Sequence, residues 1–325
     1  MDNSQKPIIK AYNRLGVHNN LDRLQDYIVD MDLAIKYQKY NDWNHGIIDR
    51  TGSMKHFLNV KIDSYVPKYI ENYKKTFSSV TKKRAQELVN KNKTINILYS
   101  GGLDSMTIVS AFYNLDMDPN QVVIYLTHDS LYESGSLFDD VIVKRFNRYH
   151  LCQAPLNINN VKFTENDIVV TGHHGNILMN RISSHIPEKN YDDPYDRYIS
   201  KDYIDFYQPF IDAFPKKIET IEQFYTYFSF NFNWCLQSHV PYTVLNNVQD
   251  KLNIFFDTLD YQNYFISCED DKRNKNPMRK FILNELGSKA KDYITYKKIR
   301  NSYINSQSDW LLFLDNFQII HNKDL

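Results

Sequence analysis

The chain is short of cysteine, has no excess of charge of either sign, and contains no long apolar run. Three cysteines, Cys152, Cys235 and Cys268, lie far apart in 325 residues. An odd, scattered set excludes a disulfide framework and a C-x-x-C zinc site, and fits a reducing cytoplasm. Lys plus Arg and Asp plus Glu number 39 each, so the formal charge is zero and the global signature of a nucleic-acid binder is missing. No apolar stretch approaches the roughly 20 residues of a membrane span. The opening Met-Asp-Asn-Ser-Gln-Lys lacks the apolar core of a signal peptide. Neither a Walker A loop, G-x-x-x-x-G-K-[ST], nor a G-x-G-x-x-G fingerprint occurs.

What is present is a mixed chain, 42% hydrophobic, long enough for one large or two medium domains. Its 25 tyrosines, with many Asn, Lys and Ile, point to AT-rich coding of the kind found in viral and low-GC bacterial genomes. Residues 1–93 read as mostly helical. Leu21, Leu24, Ile28, Met31 and Ile35 recur at helical spacing, and Val60 to Val89 carries a second helical pattern. That pattern ends in Thr81-Lys82-Lys83-Arg84, which reads as a solvated helix face, with a nucleic-acid contact as the minor alternative.

From Thr94 the rhythm becomes β–α–β. Strands are expected at Ile95–Tyr99, Val122–Thr127 and Ile168–Thr171, with helices over about 104–115 and 137–148. Strands alternating with helices imply an α/β fold with a parallel sheet covered on both faces. Ligands of such sheets bind beyond the carboxyl ends of the strands. After about Tyr195 the chain reads as mainly helical, and Phe224, Tyr225, Tyr227, Phe228, Phe230, Phe232 and Trp234 read as core.

The most telling segment is Ser100-Gly101-Gly102-Leu103-Asp104-Ser105, set between a strand pattern and a helix pattern. Two glycines let the backbone approach a ligand closely. Successive N–H groups form an anion-binding nest, and the helix start adds its dipole and free donors. Ser100 and Ser105 offer hydroxyls to phosphate oxygens. Asp104 suits Mg²⁺ held against a triphosphate, or serves as a helix N-cap.

The motif S-G-G-x-D-S resembles the PP-loop of the N-type ATP pyrophosphatases, which cleave ATP between the α and β phosphates and adenylate an oxygen of the substrate. Within that superfamily the chain resembles the synthetase half of the asparagine synthetases over about 94–300. Thr171-Gly172-His173-His174-Gly175-Asn176 resembles their Gly-rich acidic loop, and Lys275-Asn276-Pro277-Met278-Arg279 their K-x-x-L-R. Asn253-Ile254-Phe255-Phe256-Asp257 resembles the N-P-F-x-D region more weakly. The resemblance implies a HUP-type sheet over 94–325, with ATP and Mg²⁺ as cofactors. It implies phosphate contacts from Ser100 through Ser105 and from Gly172, and adenosine near Thr127 and His128. Asp104 and Asn176 would be metal ligands, and Lys275 would stabilise charge on the α-phosphate and pyrophosphate. Arg279 would bind pyrophosphate or brace Lys275.

Two departures from that pattern matter. Asn176 stands where the family has a carboxylate, and His173 and His174 replace small or acidic residues; His173 is a candidate base. Residue 2 is Asp, no cysteine precedes Cys152, and residues 1–93 are too short for a glutaminase domain. An amine is therefore expected free, from a partner, or within the second substrate, which reacts with a small-molecule carboxylate. Two rival readings remain: a PP-loop enzyme acting on a nucleobase in tRNA or DNA, docked by Lys82-Lys83-Arg84, and a nucleotide-binding regulator without catalysis.

Overall fold

The computed structural model describes residues 67–152, 158, 161–178, 188–199, 216–228, 245–295, 310–312 and 319–321, with single positions between 201 and 234. The helical spacing expected over Leu21–Ile35 lies outside the described residues. The chain divides into two compact units. One comprises Ile70–Met179 and Asn247–Tyr303 and holds the sheet.

Helix α1, Phe77–Val89, opens that unit. It starts later than the apolar spacing suggests, because Thr76 is extended and its hydroxyl accepts from Ser79 N–H as an N-cap. Strand β1, Thr94–Leu98, is followed by α2, Leu103–Tyr113, then β2, Val122–Leu126, and α3, His128–Ser134. The helix expected over 137–148 forms over 137–145, but its centre is not α-helical. Gly135 at φ +55° stops α3, and the next helix is π-wound over Phe138–Val143. The apolar spacing there is real, since Leu137, Val141, Ile142 and Phe146 are all buried. Residues 148–151 form strand β3, Arg148–Leu151, which sequence reasoning missed because all four residues are exposed.

Strand β4, Asp167–Thr171, leads into the short helix α4, Gly175–Leu178. Helix α5, Ile221–Phe228, belongs to the other unit. There Ile221 packs with Tyr191, Tyr195, Ile199 and Tyr225, and Tyr195 stacks on Phe224 at 5.4 Å. Phe224, Phe230 and Trp234 are buried, in line with their reading as core; Tyr225 is half-buried, and the side chains of Tyr227, Phe228 and Phe232 lie outside the described residues. Trp310–Leu312 and Ile319–His321 form an antiparallel pair in the same unit. Back in the sheet unit, β5, Leu252–Ile254, precedes α6, Leu259–Ser267, α7, Asn276–Leu286, and α8, Lys291–Thr295. β5 was not foreseen: at three residues it carries too little pattern to stand out.

All five strands are parallel, in the order β3-β2-β1-β4-β5. β2 is buried throughout and β4 nearly so, as a parallel sheet covered by helices requires. The fold is thus α/β. The chain leaves β1 toward β2 and β3, then returns on the other side of β1 as β4. The crevice beyond the carboxyl ends of β1 and β4 is the switch point where such sheets take ligands.

Helices α1, α2, α6 and α7 pack together. Phe77 of α1 meets Tyr261, Tyr264 and Phe281 with ring centroids 5.7–6.0 Å apart, an arrangement that adds to simple area burial. Two pins show that α2 and α7 run side by side in the same direction. Asp104 meets Lys275 at their starts, and Asn114 Nδ2 donates to Glu285 O at their ends. Both helix N-termini therefore face the switch point, and their dipoles favour an anion there. No helix among the described residues is long and apolar enough to cross a membrane.

Candidate functional site

The loop after β1 is built around one left-handed residue. Gly101 has φ +82°, and a Cβ there would stand 2.7 Å from both Ser130 O and Glu133 Cβ. No other residue type fits that position without moving α3. Gly102, extended, is the N-cap of α2 and uses no side chain to cap it. Asp104 is therefore not the cap; it sits in the first turn with its carboxylate available for other work.

Of the two serines, Ser100 is exposed at the loop and Ser105 is turned inward. Ser105 is buried; its hydroxyl accepts from Ser100 N–H at 3.2 Å and donates to Gly102 O at 3.0 Å. Ser100 Oγ lies 3.1 Å from Ser105 Oγ. These contacts hold the loop in shape before any ligand arrives. Thr127 and Ser130 play the same local role at the start of α3, where they form a reciprocal capping box and Ser130 Oγ donates to Tyr99 O. His128 and Asp129 are exposed.

The loop after β4 closes on the first. Gly172 leaves room for Asp104, whose Cβ would be 3.2 Å from a Cβ on the glycine. A Cβ on Gly175 would land on the Asp104 carboxylate, 2.7 Å from its Cγ and 3.0 Å from Met278 Cε. Asn176, next in the chain, is half-buried in α4. His173 Nδ1 lies 3.0 Å from Thr171 Oγ1. Burial, aided by His174, lowers the His173 ring from 6.5 to about 4. At neutral pH it is an uncharged hydrogen-bonding group and a weak base. His174 is buried at φ +72°, an uncommon conformation for a residue with a Cβ.

Lys275 arrives from the far end of the sequence. Its Nζ sits 2.5 Å from Asp104 Oδ2, with both side chains about four-fifths buried at 19% and 23% exposure. Asp104 Oδ1 is buried and has no hydrogen-bond partner. Lys275 and Asn274 are both left-handed, at φ +58° and +53°, so the turn that presents the lysine carries backbone strain. Arg279 holds that turn: its Nε donates to Asn274 O at 2.9 Å and its Nη1 to Ile294 O at 2.7 Å. Of its two expected roles, bracing is the one these bonds serve. The second carbonyl belongs to α8, whose Tyr293 hydroxyl donates to Gly101 O at 2.8 Å. Sequence reasoning missed Tyr293, one of many tyrosines with no motif around it.

The structure thus brings together Gly101, Gly102, Asp104, Gly172, Gly175 and Lys275, and leaves Thr127 and His128 on the adjoining α3. The basic run on α1 is engaged elsewhere. Lys82 pairs with Glu285 at 2.7 Å, Lys83 with Asp260 at 2.5 Å, and Arg84 is mostly buried beside Glu87. Lys82 and Lys83 are exposed, as a solvated helix face requires, while tying α1 to α7 and α6; Arg84 is the member of the run that is drawn inside.

One carboxylate oxygen without a partner, beside a cation and two helix starts, suits Mg²⁺ that arrives with phosphates and keeps most of its other ligands as phosphate and water oxygens. A cage of protein carboxylates is not present: among the described residues, no group of three or more His, Cys, Asp or Glu is placed to hold a metal. Comparison of the chain with protein-family models and with curated proteins finds no match.

Proposed function

We propose that the sheet unit is an ATP-dependent adenylating ligase on a HUP-type sheet, one that activates a small-molecule carboxylate for amide formation. The observation that carries this reading is the opposition of Asp104 and Lys275 across the mouth of the Gly101–Gly102 loop. A negative oxygen for a metal and a cation for phosphate charge face each other where two helix dipoles converge.

In this reading the loop N–H groups and the start of α2 bind the phosphates. Asp104 Oδ1 would hold Mg²⁺, which neutralises phosphate charge when bound; Asn176, one residue beyond the Gly175 that packs on this carboxylate, is the second candidate ligand. A substrate carboxylate oxygen attacks the α-phosphorus. The bond from that phosphorus to the bridging oxygen breaks, and pyrophosphate leaves with the electron pair. Negative charge grows on the α-phosphate and the departing pyrophosphate, and Lys275 stabilises it more than the ground state. Before ATP binds, Lys275 is neutralised by Asp104, so the pair holds both side chains at the site. His173, uncharged, orients neighbouring groups by hydrogen bonding. An amine then displaces AMP from the acyl-adenylate. It arrives free, from a partner, or within the second substrate.

The nucleobase alternative is supported less, because Arg84 is mostly buried and Lys82 and Lys83, though exposed, already have carboxylate partners. The test is pyrophosphate release from ATP and Mg²⁺ across a panel of carboxylates including aspartate. Release that depends on one acid and falls at least about 100-fold in Asp104→Ala and in Lys275→Ala supports the ligase. ATP binding without release from any acid would refute it.

A further inference from the structure

We propose that Tyr293 is a positioning residue that sets which way the Gly101–Gly102 peptide points in the phosphate loop. The inference rests on the nucleotide-binding reading of that loop. A peptide unit is planar and trans, so its C=O and N–H point in opposite directions. Whatever holds the Gly101 carbonyl therefore aims the Gly102 N–H. Tyr293 holds it, by donating its hydroxyl hydrogen at 2.8 Å.

The Tyr99–Ser100 and Gly102–Leu103 peptides are fixed by other means. Ser100 N–H donates to Ser105 Oγ. Gly102 O accepts from Met106 N–H at 2.9 Å and from Ser105 Oγ. Between these anchors sits the junction of two glycines, whose backbones rotate with little steric hindrance. Rotation of that one peptide would turn a carbonyl oxygen toward a bound anion and take an N–H away. A nest of N–H groups binds anions only while its members converge, so one reversed peptide converts attraction into repulsion.

Tyr293 is suited to this task. Burial, with Tyr99, Asp104 and Glu133 nearby, pushes its phenol well above the ordinary range. The hydroxyl stays protonated at any physiological pH and remains a donor. Its helix is anchored by Arg279, which bonds Ile294 O and Asn274 O together. One brace therefore serves both the loop peptide and the turn that presents Lys275. The residue touches no reacting atom; it acts through the backbone of Gly101.

Glycine-selective ¹⁵N labelling reads this directly, since the chain has nine glycines and yields a small set of amide signals. The variant is Tyr293→Phe, which removes only the hydroxyl. In the ligand-free protein, the Gly101 and Gly102 signals should shift or broaden, and the distant Gly287 signal should not. Calorimetric titration with Mg²⁺-ATP and with inorganic pyrophosphate should show affinity lower by about three- to tenfold, the range for one neutral hydrogen bond. Unmoved Gly101 and Gly102 signals would overturn the proposal. So would moved signals with unchanged affinity, or a lower melting temperature alone, which is what a merely structural tyrosine predicts. If the wild-type protein binds neither ATP nor pyrophosphate, the nucleotide reading fails, and the glycine signals still decide whether Tyr293 orients the peptide.

Discussion

Acidification should find its weak point at His173. The ring lies at the end of β4 with Nδ1 3.0 Å from Thr171 Oγ1, and burial, with His174 second, brings it from 6.5 to about 4. In the unfolded chain the ring takes up its proton near 6.5; in the folded protein it does so only near 4. Between those values the unfolded state binds more protons, so stability falls as pH falls. The contribution is complete above pH 6.5 and is lost as the pH descends toward 4. At about 1.4 kcal/mol per pH decade, the full loss is roughly 3 kcal/mol, of which about 2 kcal/mol falls between pH 7 and pH 5. The assay is urea unfolding at pH 7, 6 and 5 for the wild type and for His173→Gln, whose amide is polar and does not titrate. Other titrating groups are common to both proteins and cancel in the difference. The wild type should lose about 2 kcal/mol more than the variant between pH 7 and pH 5. Parallel pH curves would show that burial does not hold this ring neutral.

Two further substitutions test the packing of the site. Gly175→Ala places a methyl group on the Asp104 carboxylate; overpacking of about 1–3 kcal/mol is expected. The aspartate must also turn from Lys275, so urea unfolding should show the loss and calorimetry should show a higher Mg²⁺ requirement for ATP binding. Arg279→Ala removes both bonds to the carbonyls of Asn274 and Ile294; a loss of about 2 kcal/mol in stability is expected for these charge-assisted bonds. Because the Arg279 guanidinium is engaged with the Asn274 and Ile294 carbonyls and braces the turn of Lys275, the variant should lose turnover more than ATP affinity, a split that pyrophosphate-release kinetics would show.

The strand–loop–helix at 94–113 was legible because each part is local. Ile95, Ile97 and Leu98 form a strand pattern, two glycines break it, and an apolar helical stretch follows. The edges of the sheet were not legible. β3 carries Arg, Tyr, His and Leu, all exposed, and only its pairing with β2 makes it a strand. The π-helical turn at Phe138–Val143 was hidden for the opposite reason: its apolar spacing imitates an α-helix well enough to be read as one.

By itself the sequence determined the parallel α/β rhythm, the position of the glycine loop, and the presence of one acid and one distant base with the chemistry for phosphate. Tertiary structure decided which of them meet. Asp104 and Lys275 stand 171 residues apart, and they meet because α2 and α7 pack side by side with their starts at the same end. The same packing made Arg279 a brace and brought Tyr293 to Gly101. Local preference is written in neighbouring residues, whereas the choice of a partner across the chain is made by which faces bury together.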